Sequence, residues 1–300
     1  MPLAREDIAG RLADVGYIAD LDLATALWMM DFLKRPLLLE GQAGVGKTEV
    51  AKALAALHGA ELIRLQCYEG LDQNAALYEW NYQRQLLAIK AREGAGESAE
   101  RIEEDIFSEK YLLQRPLLAA IRRAKPPVLL VDEVDRADEE FEAFLLELLS
   151  DYQVSIPELG TIAALTIPRV VLTSNNTREL SDALRRRCLY HYVDFPDEER
   201  EAAIIVARTP GVAASLATQV ARLVAAIRRE DLRKAPGVAE TLDWAAALAE
   251  LDAVALDPAQ VSDTLGVLLK YQDDIAKIEG AKAQTLIEET RAELRRLEIG

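Results

Sequence analysis

The residues whose types and spacing could do chemistry are concentrated in two short stretches. Gly41-Gln42-Ala43-Gly44-Val45-Gly46-Lys47-Thr48 fits the pattern G-x-x-x-x-G-K-T in full. Glycines at 41, 44 and 46 let the backbone turn tightly enough for several N–H groups to face phosphate oxygens, and a following helix would add partial positive charge at its N-terminus. Lys47 would neutralise phosphate oxygens, Thr48 would hold Mg2+ through its hydroxyl, and Glu49 closes the nucleotide-binding run. The second stretch, Val128-Leu129-Leu130-Val131-Asp132-Glu133, carries two adjacent acids at the end of an apolar run. Asp132 suits the Mg2+ shell, and Glu133 suits the base that orients an attacking water. Each stretch alone has a plain reading, a glycine-rich turn or a solvated helix cap. Their joint presence argues against both.

Two further groups fit the same chemistry. Asn175, in Thr173-Ser174-Asn175-Asn176, offers an uncharged amide that could position water, or belongs to an Asn-rich turn. Ten residues on, Arg185-Arg186-Arg187 reads either as a solvated helix end or as the source of an arginine finger, whose charge would stabilise a phosphoryl-transfer transition state on a neighbouring subunit.

The elements that must position these residues can be read from hydrophobic period and punctuation. Residues 5–33 show two helical stretches broken at Gly16. Pro36–Glu40, Glu61–Gln66, Val128–Val131 and Val170–Thr173 read as strands, and Val154–Ile162 as strand, turn, strand. Helices are expected after the phosphate loop and over Glu139–Leu149. Residues 68–123 read as mostly helical, with a loop over 92–100. From Asp197 the helical pattern is nearly continuous, interrupted at Pro210-Gly211, Pro236-Gly237 and Pro258. The expected fold is therefore α/β: a P-loop NTPase parallel sheet with helices on both faces over residues 1–195, then an all-helical domain over 196–300, with the boundary near Phe195-Pro196. In such a sheet the ligand lies at the carboxyl ends of the strands, where both acidic and glycine-rich stretches fall.

Composition narrows the partners. The 51 acidic residues against 35 Lys and Arg leave a net charge of −16, which opposes a nucleic-acid backbone. The two cysteines, Cys67 and Cys188, form no metal or disulfide pattern. No leader-like or membrane-spanning run stands out, so the expectation is the reducing cytoplasm.

The order of phosphate loop, Asp132-Glu133, Asn175, arginine cluster and helical tail resembles AAA+ ATPases. Val154–Ile162, ahead of the Asn175 strand, looks like the hairpin of the helix-2-insert clade, so the first domain is expected to carry that insert and hairpin. Within the clade the chain is most similar to the MoxR family. Tyr68–Asp72, Leu77–Tyr82 and Tyr111–Leu117 look like the branch associated with maturation of carbon monoxide dehydrogenase and related molybdenum hydroxylases. The resemblance spans Gly16 to about Tyr271. It implies ATP with Mg2+ as ligands, a homo-oligomeric ring (a hexamer), a von Willebrand A domain partner, and a chaperone role on a client metalloenzyme. By position it implies Arg187 as the finger with Arg186 second, and Tyr17 and Ile18 beside adenine, a pair that is otherwise ordinary core. Where MoxR-like lids carry Ser-Pro-Arg, this chain reads Ala235-Pro236-Gly237, so Arg233 or Lys234 would have to replace the lid arginine. The alternative to a motor is a nucleotide-dependent binding switch with little turnover. The cluster Tyr78, Trp80 and Tyr82 reads either as packing or as a client contact.

Overall fold

The computed structural model describes residues 5–94 and 97–299. Among the described residues nine strands form three sheets: β1 (Leu37–Glu40), β2 (Leu62–Gln66), β3 (Tyr78–Trp80), β4 (Leu112–Gln114), β5 (Val128–Asp132), β6 (Gln153–Ile156), β7 (Gly160–Ala163), β8 (Arg169–Ser174) and β9 (Leu189–Tyr192). The main sheet has the order β2-β5-β8-β1-β9, and all its pairings are parallel. Sequence period explains which strands are central. β5, β1 and most of β8 are unbroken apolar runs, buried on both faces. The edge strands β2 and β9 alternate, each presenting one face to solvent. Glu40, Asp132 and Ser174 all lie at carboxyl ends, which sets the chemistry at one edge of the sheet.

The chain divides into two compact units. One comprises residues 5–11, Leu21–Glu40 and Thr48–Tyr192; the other comprises Leu12–Asp20, Gly41–Lys47 and the residues from Val193 onward. The first has its core around the sheet, including Leu129, Val131, Leu172, Phe141 and Leu145. The second has its own core of helical residues, with Trp244 fully buried among Val220, Val224, Leu248 and Leu265. Its helices are Glu198–Arg208, Ala214–Arg228, Val238–Glu250, Pro258–Leu268, Gln272–Ile278 and Ala281–Ile299. The proline signals fall between or at the starts of these helices: Pro258 occupies the first turn of its helix, capped by the Asp257 carboxylate accepting from Ala259 N. Among the described residues no helix is long and apolar enough to cross a membrane.

The helical reading of residues 68–123 needs correction. That segment holds helices Gln73–Ala76, Tyr82–Glu93, Ala99–Ile106 and Pro116–Ile121, but also the antiparallel pair β3–β4, with Tyr78 opposite Gln114 and Trp80 opposite Leu112. Tyr78 and Trp80 are buried on one face of β3, their rings edge-on at 6.3 Å, and Trp80 meets Phe107 at 5.5 Å. Two aromatics at period two form one face of a strand, whereas in a helix they would diverge by ~200°. Tyr82 begins the next helix and is exposed. The loop expected over 92–100 is shorter, since helix continues to Glu93 and resumes at Ala99; residues 95–96 lie outside the described set.

In the helical unit the ion pair between Arg228 and Glu201 is buried. Arg228 donates to both Glu201 oxygens (2.5 and 2.8 Å) and to the Pro236 carbonyl (2.8 Å), and its guanidinium lies 4.2 Å from the Phe195 ring centre. Breaking one half of such a pair strands a buried charge. Glu201→Ala is expected to destabilise the unit by ~3–5 kcal/mol in urea unfolding, and the double variant Glu201→Leu with Arg228→Met to recover most of that loss.

Candidate functional site

Sterics explain the glycines of the phosphate loop. A Cβ on Gly41 would sit 2.1 Å from the Val193 carbonyl oxygen, and Gly44, at φ +89°, would place one 2.8 Å from Gly237 Cα. The loop leads into the helix Lys47–His58. Lys47 is buried, and its ammonium donates to the carbonyls of Gly41 and Gln42, both at 2.7 Å, which holds the charge over the loop's own backbone. Gln42, Ala43 and Gly44 are exposed, while Val45 is buried beneath them. Glu49 pairs with Lys52 on the helix surface at 2.5 Å.

Thr48 begins the part of the site carried by the sheet. Its hydroxyl donates to Asp132, 3.1 Å from Oδ1 and 3.3 Å from Oδ2. Asp132 is buried at the end of β5, where Thr173 of β8 donates to Oδ1 at 2.6 Å and Arg64 of β2 donates to Oδ2 at 2.6 Å. The Thr48 hydroxyl and the Asp132 carboxylate are hard oxygen donors side by side. That donor set fits Mg2+, which binds few protein groups and takes its remaining ligands from phosphates and water.

Glu133 follows in a left-handed conformation, φ +54° and ψ +50°. For a residue with a side chain this costs about 1–2 kcal/mol. The Glu133 N–H donation to Thr173 Oγ1 at 2.9 Å helps hold it there. One hydroxyl thus orders both acids. The Glu133 carboxylate forms an ion pair with Arg136 Nε at 2.9 Å.

Asn175 lies immediately beyond β8, half-buried. Asp135 fixes its backbone, accepting from Asn175 N (3.2 Å), Thr177 N (2.8 Å) and the Thr177 hydroxyl (2.6 Å). Burial raises the Asp135 carboxyl, but the Thr177 hydroxyl and the two amides outweigh it and keep it below the ordinary aspartate value. Burial also acts on the thiols: Cys67, beside Asp132, and Cys188 are both pushed up to about 12, which favours the protonated thiol over the thiolate.

The arginine cluster occupies the helix Asp182–Arg187, and its members point to different partners. Arg185 is bound by Glu40 at the end of β1 (3.2 and 3.3 Å), which keeps its guanidinium firmly protonated. Arg187 donates to Ser150 Oγ and to the Ala183 carbonyl (3.0 Å). Arg186 is exposed and has no side-chain partner among the described residues. Arg35 caps the helix from below, donating to the carbonyls of Arg186 (2.6 Å) and Arg187 (3.3 Å).

Within the other unit, Tyr17 and Ile18 are half-buried and share a compact body with the phosphate loop. Gly237 packs against Gly44, and Val238 N–H donates to the Gly44 carbonyl at 2.8 Å. Arg233 stacks on Tyr271 at 4.1 Å, whereas the Lys234 side chain is exposed. Sequence reasoning missed Arg64, Thr173 as an organiser, and Asp135. The signal for Thr173 was its place two residues before Asn175 on an apolar strand; Arg64 and Asp135 gave none beyond charge within a motif's reach.

A phosphate loop leaving the first strand of a parallel sheet, followed by a hydroxyl bonded to an aspartate two strands away, defines a P-loop ATPase. Residues 36–188, just over half of the chain, match the AAA domain (dynein-related subfamily), and the chain belongs to that family. No match is found among curated proteins. Similar solved structures include a point mutant of Thermotoga maritima RuvB, 17% identical over 91% of this chain and 72% of that chain, with a TM-score of 0.46. A second, the Thermotoga maritima RuvB Holliday junction branch migration motor, is 17% identical over 89% and 70%, with a TM-score of 0.43.

Asp135 supplies a pH test. Because its folded pKa is lowered, its contribution is complete above the unfolded aspartate value and is lost as pH falls through the folded one. Asp135→Asn should therefore lower the urea midpoint at pH 7, and the gap to wild type should close as pH falls below about 4.

Proposed function

We propose that the chain is a MoxR-type AAA+ ATPase that hydrolyses MgATP at the contacts between subunits of a homo-oligomeric ring, a hexamer. In this reading its work is to remodel or mature a client metalloenzyme, such as a molybdenum hydroxylase of the carbon monoxide dehydrogenase kind, in the cytoplasm with a von Willebrand A domain partner. The observation that carries the hydrolytic part is the hydrogen-bonded set Thr48, Asp132, Thr173 and Glu133. The motifs at Tyr68–Asp72, Leu77–Tyr82 and Tyr111–Leu117 support the branch, and the −16 charge speaks against nucleic acid as main partner.

The loop amides from Gly41 to Gly46 and the Lys47 ammonium take the phosphates, the ammonium exchanging the carbonyls of Gly41 and Gln42 for phosphate oxygens. Thr48 and Asp132 hold Mg2+, which when bound neutralises charge on the phosphates. Glu133, released from Arg136, accepts a proton from water that Asn175 helps to place. Tyr17 and Ile18 flank the base. Arg186, exposed and uncommitted, is the better placed finger, with Arg187 second because its guanidinium is already bonded within the chain.

Glu133→Gln should keep nucleotide binding and lower turnover by about 10²-fold or more. Equal rates in a coupled-phosphate assay would defeat the reading. Arg186→Ala should lower turnover without weakening binding, and mixing it with Glu133→Gln should restore part of the activity, since each variant then supplies what the other lacks.

A second reading, a binding switch with little turnover, is favoured by Gly237, which stands at the position where the MoxR resemblance would put a lid arginine. Tight ATP binding with one slow turnover would support it. Lys234→Ala separates the two: it slows a motor that uses Lys234 in place of that arginine, and leaves a switch unchanged.

A further inference from the structure

Among the described residues, the side chains on the buried Asp132 carboxylate are two hydroxyls, Thr48 and Thr173, and one cation, Arg64. Arg64 stands on the edge strand β2, level with Leu130, two residues before Gln66, which pairs with Asp132 itself. Its Nη2 donates at 2.6 Å both to Gln66 Oε1 and to Asp132 Oδ2. The arginine side chain is 50% exposed, the carboxylate 3%. Arg64 thus reaches from solvent along the strand to balance a charge that is itself withdrawn from water.

Oδ2 is shared: Thr48 lies 3.3 Å from the same oxygen that Arg64 holds. Thr48 and Asp132 are the oxygens that fit Mg2+, so a divalent cation placed there would share that oxygen with the guanidinium at short range. Like charges so close repel strongly where the dielectric is low. Neither hydroxyl can replace the guanidinium as counter-charge, and an unpaired buried carboxylate is costly.

We propose that Arg64 is a resident counter-cation of Asp132 that competes with Mg2+. With no metal bound, it keeps the carboxylate oriented and charge-balanced. When metal binds, the guanidinium gives up Oδ2 and swings toward solvent on its long, half-exposed side chain. The competition raises the metal concentration at which MgADP binds and, because linkage is reciprocal, makes the position of Arg64 a readout of site occupancy. The inference rests on the ATPase reading above.

The test uses the full chain with Arg64→Gln and Arg64→Lys. Fluorescent ADP binding titrated with Mg2+ and thermal unfolding in chelator or in saturating MgADP are the measurements, so neither depends on turnover. Arg64→Gln should reach half-saturation at severalfold lower Mg2+, unfold at lower temperature than wild type in chelator, and match wild type in MgADP. Arg64→Lys, which keeps the charge, should follow wild type. An unchanged or weakened Mg2+ response in Arg64→Gln, with wild type responding normally, overturns the competition alone. A wild-type chain that shows no Mg2+-dependent nucleotide binding overturns the ATPase reading and this inference with it.

Discussion

The structure around the site depends on burying one carboxylate. Asp132 lies at the end of an otherwise apolar strand, and a carboxylate buried in that setting is costly unless donors surround it. They come from three directions: Thr48 from the helix after the phosphate loop, Thr173 from β8 and Arg64 from β2. Satisfying Asp132 therefore fixes the relation of β2, β5 and β8 to the start of that helix. Register alone would not, since apolar strands tolerate small shifts at their ends. The same constraint places Glu133, whose left-handed backbone persists because its N–H has Thr173 to meet.

The parts of this arrangement that were legible in the sequence are those a short window contains. The phosphate loop, the acidic pair after β5 and the parallel sheet follow from glycine spacing, from one apolar run and from the alternation of strands with helices. The three arginines were legible as a cluster but not as individuals. Successive helical residues point ~100° apart, so neighbours in sequence find unrelated partners: Glu40 for Arg185, Ser150 for Arg187 and solvent for Arg186. The β3–β4 pair escaped because strands of three residues are too short for period two to stand out, and the partner lies more than thirty residues away. Arg64 and Asp135 act through contacts across about 70 and 40 residues of chain, which no local pattern encodes.

The helical unit shows a different economy. Gly237 and Gly44 approach so closely that neither could carry a side chain, and a backbone bond from Val238 N–H to the Gly44 carbonyl closes the contact. A lid that carried arginine at position 237 would meet that loop with a charged side chain. Here it meets the loop with bare backbone, and Arg233 is stacked on Tyr271 instead. At this point the contact with the loop is made by backbone and shape.

The helix that bears the arginines is fastened to both ends of β1. Arg35, just before the strand, grips the carbonyls of Arg186 and Arg187, and Arg185 reaches Glu40, the strand's last residue, directly ahead of Gly41. A short strand clamped at both ends to one helix behaves as a stiff crossbar. Helix and strand therefore move together, and neither can be displaced without stretching the ion pair at Glu40 or the bonds from Arg35.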